Sequence, residues 1–320
     1  MKIGYYMPHI DIQGTGVAMY DYCVFNREIL GYNSVMIHDK NNEGNNNKAI
    51  QKFKDADIEI ISLENTQDQK QIEKAVELNK LDALHILKLG KSTDGGFANN
   101  VPTFIHANGM YNDPHGTVYA YVSEWCSLNC SSGVHPYLPH IVNLPNIEED
   151  YRKTLNIPKD AIVYGRIGGY YSWNIGWVNN VIIDYLNLNK NVYFLFIQTP
   201  IFIKHERVLF LNSTSNLEQK RKFINTCDAM IHARFEGESF GLACAEFSFC
   251  NKPIITFDQS KERNHIHILK EKGFYYNSSE SLMDVFCNFI KQPDKDWNCY
   301  KEFNPQSVME KFKTIFLDKI

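Results

Sequence analysis

Two glutamates are the residues of this sequence with the clearest chemical potential. Glu238 and Glu246 stand eight residues apart, within the segment 227–256 that reads CDAMIHARFEGESFGLACAEFSFCNKPIIT. They bracket Gly241 at a predicted junction between a strand and a helix, where free backbone N–H groups and the helix dipole favour bound anions. The segment therefore predicts a site for a phosphorylated, hydroxyl-rich ligand.

The surrounding pattern indicates different roles for the two carboxylates. Loops past the carboxyl ends of parallel strands are where open α/β sheets bind ligands. Glu238, in the loop after a predicted strand over 229–232, would face a sugar, and Glu246 would accept hydrogen bonds from a ribose diol. The competing interpretation is a solvated loop acid and an exposed helix residue. The apolar neighbours of Glu246 argue against it, because a charge in an apolar helix requires a partner.

Backbone groups between the two glutamates complete the predicted anion site. Gly241 lets the main chain approach a phosphate or a sugar closely, because it has no Cβ. We therefore include four further residues in the donor-binding set, namely Ser239, Phe240, Gly241 and Leu242.

The elements that must position these residues follow an α/β alternation in both halves of the chain. Strands are predicted over 2–7, 34–38, 58–62, 83–87, 103–106 and 120–123, then over 162–165, 193–198, 208–211, 229–232 and 253–257. Helices are predicted over 16–30, 48–55 and 67–79, then over 174–186, 217–226, 241–250, 262–271 and 279–291. This pattern predicts two Rossmann-like, doubly wound domains that face a cleft.

The length of 320 residues also favours two domains of roughly 150 residues each. We predict an acceptor-side domain over 1–148 and a nucleotide-sugar-binding domain over 149–303, because proline-rich sequence without periodicity separates the two alternations. The last segment, 304–320, is predicted to be an amphipathic helix. It would either finish the second domain or cross back onto the first.

The segment that contains the two glutamates resembles the donor-binding signature of retaining glycosyltransferases of family 4, which have the GT-B fold. The shared features are Glu238 and Glu246 with Ser-Phe-Gly-Leu between them, a preceding strand that opens with Asp228, and Asn-Lys-Pro-Ile-Ile after the helix. The resemblance implies a nucleotide-sugar donor, for which we expect a UDP- or GDP-sugar, and transfer with retention at the anomeric carbon.

Three further segments match the same family at the expected places. Gly14, Thr15 and Gly16 resemble the glycine loop whose amides meet the donor diphosphate, and His106 resembles the histidine beside the transferred sugar. Arg166, at the end of the first strand of the second domain, matches the cation that stabilises the departing diphosphate. The resemblance thus implies catalytic roles for Arg166, His106 and Glu238.

One departure concerns the positive charge near the leaving group. The family has a Lys five to seven residues after the arginine, whereas the sequence after Arg166 reads IGGYYSWNIGW and contains no cation. Arg234, four residues before Glu238, is the candidate substitute. The alternative is that Arg234 points to solvent.

Composition excludes several other classes of protein. A formal net charge of −4 and an isoelectric point near 6.3 argue against a nucleic-acid binder, whose affinity would depend on clustered Lys and Arg. The eight cysteines are scattered without metal-type spacing, which favours reduced thiols and a cytoplasmic location. No apolar run approaches the roughly 20 residues of a spanning helix, so a membrane role would be peripheral.

Rival motifs for a cofactor or a metal are weak. Gly14 and Gly16 could begin a dinucleotide fingerprint, but Met19 occupies its third glycine position. Asp55 and Asp57 have the form of a metal-binding acid pair, yet they precede a strand, where Asp commonly serves as a turn residue. We predict neither a cofactor nor a metal requirement.

The sequence as a whole predicts a metal-independent retaining glycosyltransferase that transfers a sugar to a glycan, lipid-linked or protein-linked hydroxyl acceptor. Two alternatives stay open. One is a sugar-nucleotide epimerase or phosphorylase with the same double fold, and the other is a catalytically silent protein that binds nucleotide sugars.

Overall fold

The computed structural model describes residues 1–320 and divides into two compact units. The first contains Met1–Ile141 and Glu302–Ile320, and the second contains Val142–Lys301. Each unit is built on one six-stranded sheet in which all strand pairs are parallel. The prediction of two doubly wound α/β domains is therefore confirmed.

The sheet of the first unit has the strand order β3-β2-β1-β4-β5-β6. Its strands are β1 (Lys2–Tyr6), β2 (Asn33–Asp39), β3 (Glu59–Leu63), β4 (Ala83–Lys88), β5 (Thr103–Ala107) and β6 (Val118–Tyr121). The helices are α1 (Gly14–Glu28), α2 (Asn47–Asp55), α3 (Gln69–Leu78) and α4 (Glu124–Ser131). Strands β4 and β5 are buried along their whole length, which is typical of a parallel sheet covered on both faces.

Side-chain caps define where three of these helices begin. The side chains of Asn46, Asp68 and Ser123 accept hydrogen bonds from free amides in the first turns of α2, α3 and α4. Such caps replace hydrogen bonds that the helix itself cannot make and stabilise a helix by about 1 kcal/mol.

The sheet of the second unit has the order β14-β12-β10-β7-β8-β9. The strands are β7 (Ile162–Arg166), β8 (Val192–Ile197), β9 (Val208–Leu211), β10 (Ala229–His232), β12 (Ile254–Phe257) and β14 (Phe274–Tyr276), and a separate two-stranded sheet pairs β11 (Gly237–Glu238) with β13 (Glu262–Arg263). The helices are α5 (Trp177–Leu188), α6 (Leu217–Thr226), α7 (Leu242–Phe249), α8 (Asn264–Leu269) and α9 (Ser279–Asn288).

The chain ends in α10 (Pro305–Ile315), which belongs to the first unit. Asn304 caps its first turn through a hydrogen bond from the amide of Ser307. The ring of Phe312 stacks on Tyr5 of β1 with a centroid separation of 6.4 Å. Phe316, just after the helix, stacks on Phe104 of β5 at 5.0 Å. The last residues of the chain therefore complete the core of the unit that the first residues begin.

The structure differs from the sequence-based expectations in several short elements and at one loop. Helix α4 and strands β11, β13 and β14 have no counterpart among the predicted elements, and β13 lies within the predicted helix 262–271. The predicted glycine loop is instead helical, because Gly14, Thr15 and Gly16 form the first turn of α1 after an uncapped Gln13. The structure also contains no helix long and apolar enough to cross a membrane.

Candidate functional site

The second unit brings the predicted donor residues to the place where its strand order reverses. Strands β7 and β10 are neighbours in the sheet, and the chain continues from them toward opposite edges. Arg166 is the last residue of β7 and His232 the last of β10. Open α/β sheets bind ligands beyond the carboxyl ends of strands at such a reversal, so these two residues flank the expected site.

The loop between β10 and α7 is held in a fixed shape by Gly237. This residue has φ +74°, a left-handed conformation, and a Cβ here would overlap the carbonyl oxygen of Glu262. A glycine therefore allows Gly237 and Glu238 to pair with Glu262 and Arg263 in the small second sheet. This pairing fixes the position of Glu238.

Glu238 is an ionised carboxylate with two cationic or hydrogen-bonding partners. Its Oε1 lies 3.1 Å from Nε2 of His232, and its Oε2 accepts a hydrogen bond of 3.1 Å from Arg234. Burial raises the pKa of this carboxyl, but His232, Arg234 and His265 outweigh burial and hold the pKa at about 2. Because the side chain remains 19% exposed, Glu238 can accept hydrogen bonds from a ligand at neutral pH.

Behind Glu238 runs a chain of hydrogen bonds that sequence reasoning missed. Nδ1 of His232 lies 2.9 Å from the hydroxyl of Thr256, which in turn lies 3.0 Å from Nε2 of His265. Since a carboxylate only accepts, Nε2 of His232 donates to Glu238. Burial lowers the pKa of His265 to about 3, so the ring at the end of this chain is neutral at neutral pH.

The signal that could have revealed this chain is the strand register. His232 and Thr256 lie opposite each other on β10 and β12, but both lie outside the loop that contains Glu238. His265 has no metal-type neighbours in the sequence, so no local pattern marks it.

Arg166 is placed differently from the expectation of an available cation. Its side chain is buried, with 3% of the residue exposed. One terminal nitrogen donates to the carbonyl oxygens of Ile197 and Gln198 and to the Thr199 hydroxyl, and the other donates to the Gly169 carbonyl oxygen and the Ser172 hydroxyl. Burial lowers the pKa of Arg166 to about 10. A direct contact with a diphosphate would require some of these hydrogen bonds to be exchanged.

Arg166 instead joins the loops that follow β7 and β8. The loop after β7 is also tied to the loop after β10, because Asn174 accepts a hydrogen bond from the amide of Phe235 and donates to Glu236. Three loops at the carboxyl edge are therefore fixed relative to one another.

Glu246 has the partner that its apolar surroundings require. Its Oε1 lies 2.6 Å from Nζ of Lys220 on α6, and the two side chains are 5% and 10% exposed. Lys220 thus provides the partner that was expected, from the sequence, to come from a ligand. Gly241 is the N-cap of helix α7. Its φ of +86° lies in the left-handed region, and it offers no side-chain cap to the first amides of the helix.

Of the residues around that helix start, Phe240 is buried and the carbonyl oxygen of Phe240 accepts a hydrogen bond of 2.9 Å from Asn264. Ser239 and Leu242 are partly exposed beside it. The side chain of Arg234 is one-third exposed and forms an ion pair with Glu238. Its guanidinium therefore faces this carboxylate and is also partly accessible to solvent.

The predicted residues of the first unit lie at two separate places. Gly14 is exposed at the start of α1, and Gly16 packs so closely on Asp11 that a Cβ would overlap the Asp11 carbonyl oxygen. His106 is wholly buried on β5: its Nε2 donates to the carbonyl oxygen of Leu138 at 2.8 Å, and its Nδ1 lies 3.3 Å from His85. An imidazole that touches a sugar needs exposed surface, so this placement does not support the predicted role of His106.

At the carboxyl edge of the second unit's sheet, groups in fixed positions can bind a ligand and stabilise charge. It offers two carboxylates, uncapped amides at the start of α7 and the guanidinium of Arg234. The structure contains no group of three or more His, Cys, Asp or Glu side chains arranged to hold a metal ion.

No family model and no curated protein matches this sequence. Solved structures, however, resemble it over nearly the whole chain. A glycosyltransferase from Rickettsia africae ESF-5 is 15% identical and superposes with a TM-score of 0.67 over 99% of this chain and 95% of that one. HepE from Anabaena, in complex with UDP and glucose, is 13% identical with a TM-score of 0.67 over 99% and 95%.

A third structure, UDP-GlcNAc 2-epimerase from Neisseria meningitidis bound to UDP-GlcNAc, is 11% identical with a TM-score of 0.65 over 99% of this chain and all (100%) of that one. At these identities the likeness establishes the shared fold, which is the GT-B fold predicted from the sequence.

Proposed function

We propose that the protein is a glycosyltransferase whose donor is a nucleotide-diphosphate sugar. The observation that carries this proposal is the placement of Glu238 and Glu246 on either side of the α7 N-terminus, at the strand-order reversal of the second unit. One carboxylate is fixed before the uncapped helix start and the other lies about one turn after it. This arrangement suits a ligand with hydroxyls at both ends and a diphosphate between them.

Each part of the donor has a partner in this arrangement. Glu246 accepts hydrogen bonds from the ribose, the amides near Phe240–Leu242 bind the diphosphate, and Glu238 accepts hydrogen bonds from the sugar. Arg234, held beside Glu238, supplies positive charge toward the diphosphate. The amides of Gly14–Gly16 at the start of α1 provide a further anion-binding group from the first unit.

The transfer step breaks the bond between the anomeric carbon and the diphosphate oxygen and forms a bond from that carbon to the acceptor hydroxyl. The acceptor proton passes to the departing phosphate oxygen, and the acceptor enters on the face that the diphosphate leaves, so the anomeric configuration is retained. Fixed donors that stabilise the growing negative charge are worth on the order of 3 kcal/mol each. We propose that Arg166 contributes by holding the loops after β7 and β8, and that no metal ion is required.

The acceptor in this proposal is a hydroxyl of a glycan or of a lipid-linked or protein-linked saccharide. The first test is a thermal-shift screen with UDP, GDP, ADP and CDP and with their common hexose conjugates. A ligand at 100 times its dissociation constant adds about 2.7 kcal/mol to the free energy of unfolding. We expect one nucleotide series to raise the melting temperature, and a protein stabilised by none of them contradicts the proposal.

The second test identifies the product formed from the stabilising donor. A glycoside with the donor's anomeric configuration, formed together with nucleoside diphosphate in excess chelator, is the expected outcome. A glycoside of inverted configuration would exclude the retaining step, and loss of activity in chelator would exclude metal independence.

A sugar-nucleotide epimerase is the second candidate function. The observation in its favour is that the epimerase from Neisseria meningitidis superposes on this chain nearly as well as the glycosyltransferase from Rickettsia africae and HepE do. Product analysis separates the two functions, because an epimerase converts the donor to its isomer without any acceptor.

A further inference from the structure

A buried ion pair stands next to the proposed donor site. Nζ of Lys220 lies 2.6 Å from Oε1 of Glu246, with side-chain exposures of 10% and 5%. Lys220 is the fourth residue of α6, which leads into β10, and Glu246 is the fifth residue of α7, which follows β10. Both therefore lie about one helical turn from the carboxyl edge of the sheet, where the strand order reverses.

This ion pair leaves hydrogen-bonding capacity unused. The ammonium of Lys220 has three N–H donors, and its single protein acceptor is Glu246 Oε1. The second oxygen of Glu246, Oε2, accepts no hydrogen bond from the protein. This oxygen is also not fully buried. Because a buried ion pair is favourable only when its remaining protons and lone pairs are satisfied, the open oxygen and the open N–H groups call for a polar group from outside.

The charges of the pair restrict what that group can be. A phosphate next to Glu246 is repelled by the carboxylate, and a cation next to Lys220 is repelled by the ammonium. A neutral hydroxyl fits both partners, because it donates one hydrogen bond and accepts others. The matching ligand group is a neutral diol, which in a nucleoside diphosphate is the ribose.

We propose that Lys220 is itself a donor-binding residue: its Nζ donates a hydrogen bond to a ribose hydroxyl that in turn donates to Oε2 of Glu246. This inference rests on the proposed function, and it adds a cation that sequence reasoning did not place in the site. Other basic residues of α6 do not share this position. Arg221 donates to the sulfur of Cys250, and Lys222 is partly exposed and forms no ion pair with Glu246.

The experiment compares the unmodified protein with the double variant Lys220→Met/Glu246→Leu. Replacing a buried ion pair by apolar residues of similar volume is commonly neutral or stabilising, so the urea midpoint should be equal or higher. The ligands are UDP and 2′-deoxy-UDP, measured by isothermal titration calorimetry. We expect UDP to bind the double variant ten- to a hundredfold more weakly. The preference of the unmodified protein for UDP over its 2′-deoxy analogue should disappear.

A second comparison separates direct binding of the ligand by Lys220 from the effect of Lys220 in neutralising Glu246. If Lys220 merely neutralises the carboxylate, Lys220→Met has no effect on UDP affinity once Glu246 is Gln. We expect Lys220→Met/Glu246→Gln to bind UDP about tenfold more weakly than Glu246→Gln alone. Lys222→Met, which removes the same charge from the same helix, should leave UDP affinity unchanged.

The outcomes separate this inference from the function on which it rests. An unmodified protein that binds neither UDP nor GDP contradicts the proposed function. If GDP is the nucleotide bound, GDP and 2′-deoxy-GDP replace the uridine pair. Tight nucleotide binding that is equal in the unmodified protein and in the stably folded double variant overturns the assignment of Lys220 while leaving the proposed function intact.

Discussion

At the scale of single residues, the candidate site depends on Glu238, a carboxylate whose charge is set by its partners. Glu238 stays ionised because His232 and Arg234 outweigh the effect of burial on its pKa. An ionised carboxylate accepts hydrogen bonds and cannot act as an acid, so the role we propose for Glu238 is to orient a hydroxyl-bearing ligand and not to protonate a leaving group. The hydrogen bonds behind it, through Thr256 to His265, fix the ring that holds it.

Glu238→Gln should therefore reduce turnover ten- to a hundredfold, because hydrogen bonds to a charged group are worth about 1.5–3 kcal/mol. The measurement is steady-state kinetics with the donor found in the thermal-shift screen. Glu236→Gln is the matched control, since Glu236 lies exposed in the same loop and its amide replacement still accepts a hydrogen bond from Asn174. Equal losses in both variants would contradict a specific role for Glu238.

The sequence was sufficient to find Glu238 and Glu246 but not their partners. Their spacing around a glycine at a strand–helix junction is a local pattern. Lys220 lies 26 residues before Glu246, and the contact between His232 and Thr256 depends on which strands become neighbours and in what register. The burial of Arg166 and His106 likewise depends on packing that no local pattern records.

At the scale of elements, segments with a clear apolar pattern are predictable from the sequence, and segments without one are not. Strands β9 and β10 and helix α6 have the predicted bounds, because each has a clear apolar pattern. Helix α4 contains Cys, Ser and Asn, which are weak helix formers, and its start is set by the cap from Ser123. Strand β14 has three residues, and its strand conformation depends on pairing with β12.

Helix α1 allows a test of the glycines at its start. A Cβ at Gly16 would overlap the Asp11 carbonyl oxygen and lie 2.5 Å from its Oδ1, whereas nothing lies within 4 Å of a Cβ at Gly14. We expect Gly16→Ala to lower the free energy of unfolding by about 1–3 kcal/mol, as measured by urea denaturation. Gly14→Ala should leave stability unchanged.

If the amides at this helix start bind the diphosphate, Gly14→Ala should nonetheless weaken donor binding, because its methyl group occupies space beside them. Nucleoside diphosphate affinity measured on the folded variant checks this expectation. Unchanged affinity would remove Gly14 from the proposed donor site without affecting the assignment of Gly16 as a packing residue.

At the scale of the whole molecule, the two units share one architecture but differ in the titratable side chains that they hold. Both sheets have the same pattern of strand order around a central first strand. The second unit has its ionised groups at the carboxyl edge, at Arg166 and Glu238. The first unit instead buries a cluster of imidazoles, His85, His106 and His140, between its sheet and the C-terminal segment, where His85 packs on Phe312 and Phe316 at centroid distances of 5.4 and 5.5 Å.

We expect this cluster to make the protein sensitive to acid. Burial lowers the pKa of His106 to about 4 and also lowers the pKa values of His85 and His140. The unfolded chain then takes up protons at higher pH than the folded chain does. The stability is therefore complete above about pH 6.5, the ordinary value for histidine, and decreases as the pH falls toward 4. His106 alone accounts for a loss of about 3 kcal/mol over this interval.

Replacing His85 by Gln tests this account, because the Gln amide can still donate to Nδ1 of His106 but does not titrate. We expect the urea midpoints of the variant and the unmodified protein to be similar at pH 7.5. Between pH 6.5 and 4 the midpoint of the variant should fall less steeply, since one fewer proton is taken up on unfolding. Identical pH dependences would show that His85 does not contribute to the acid sensitivity.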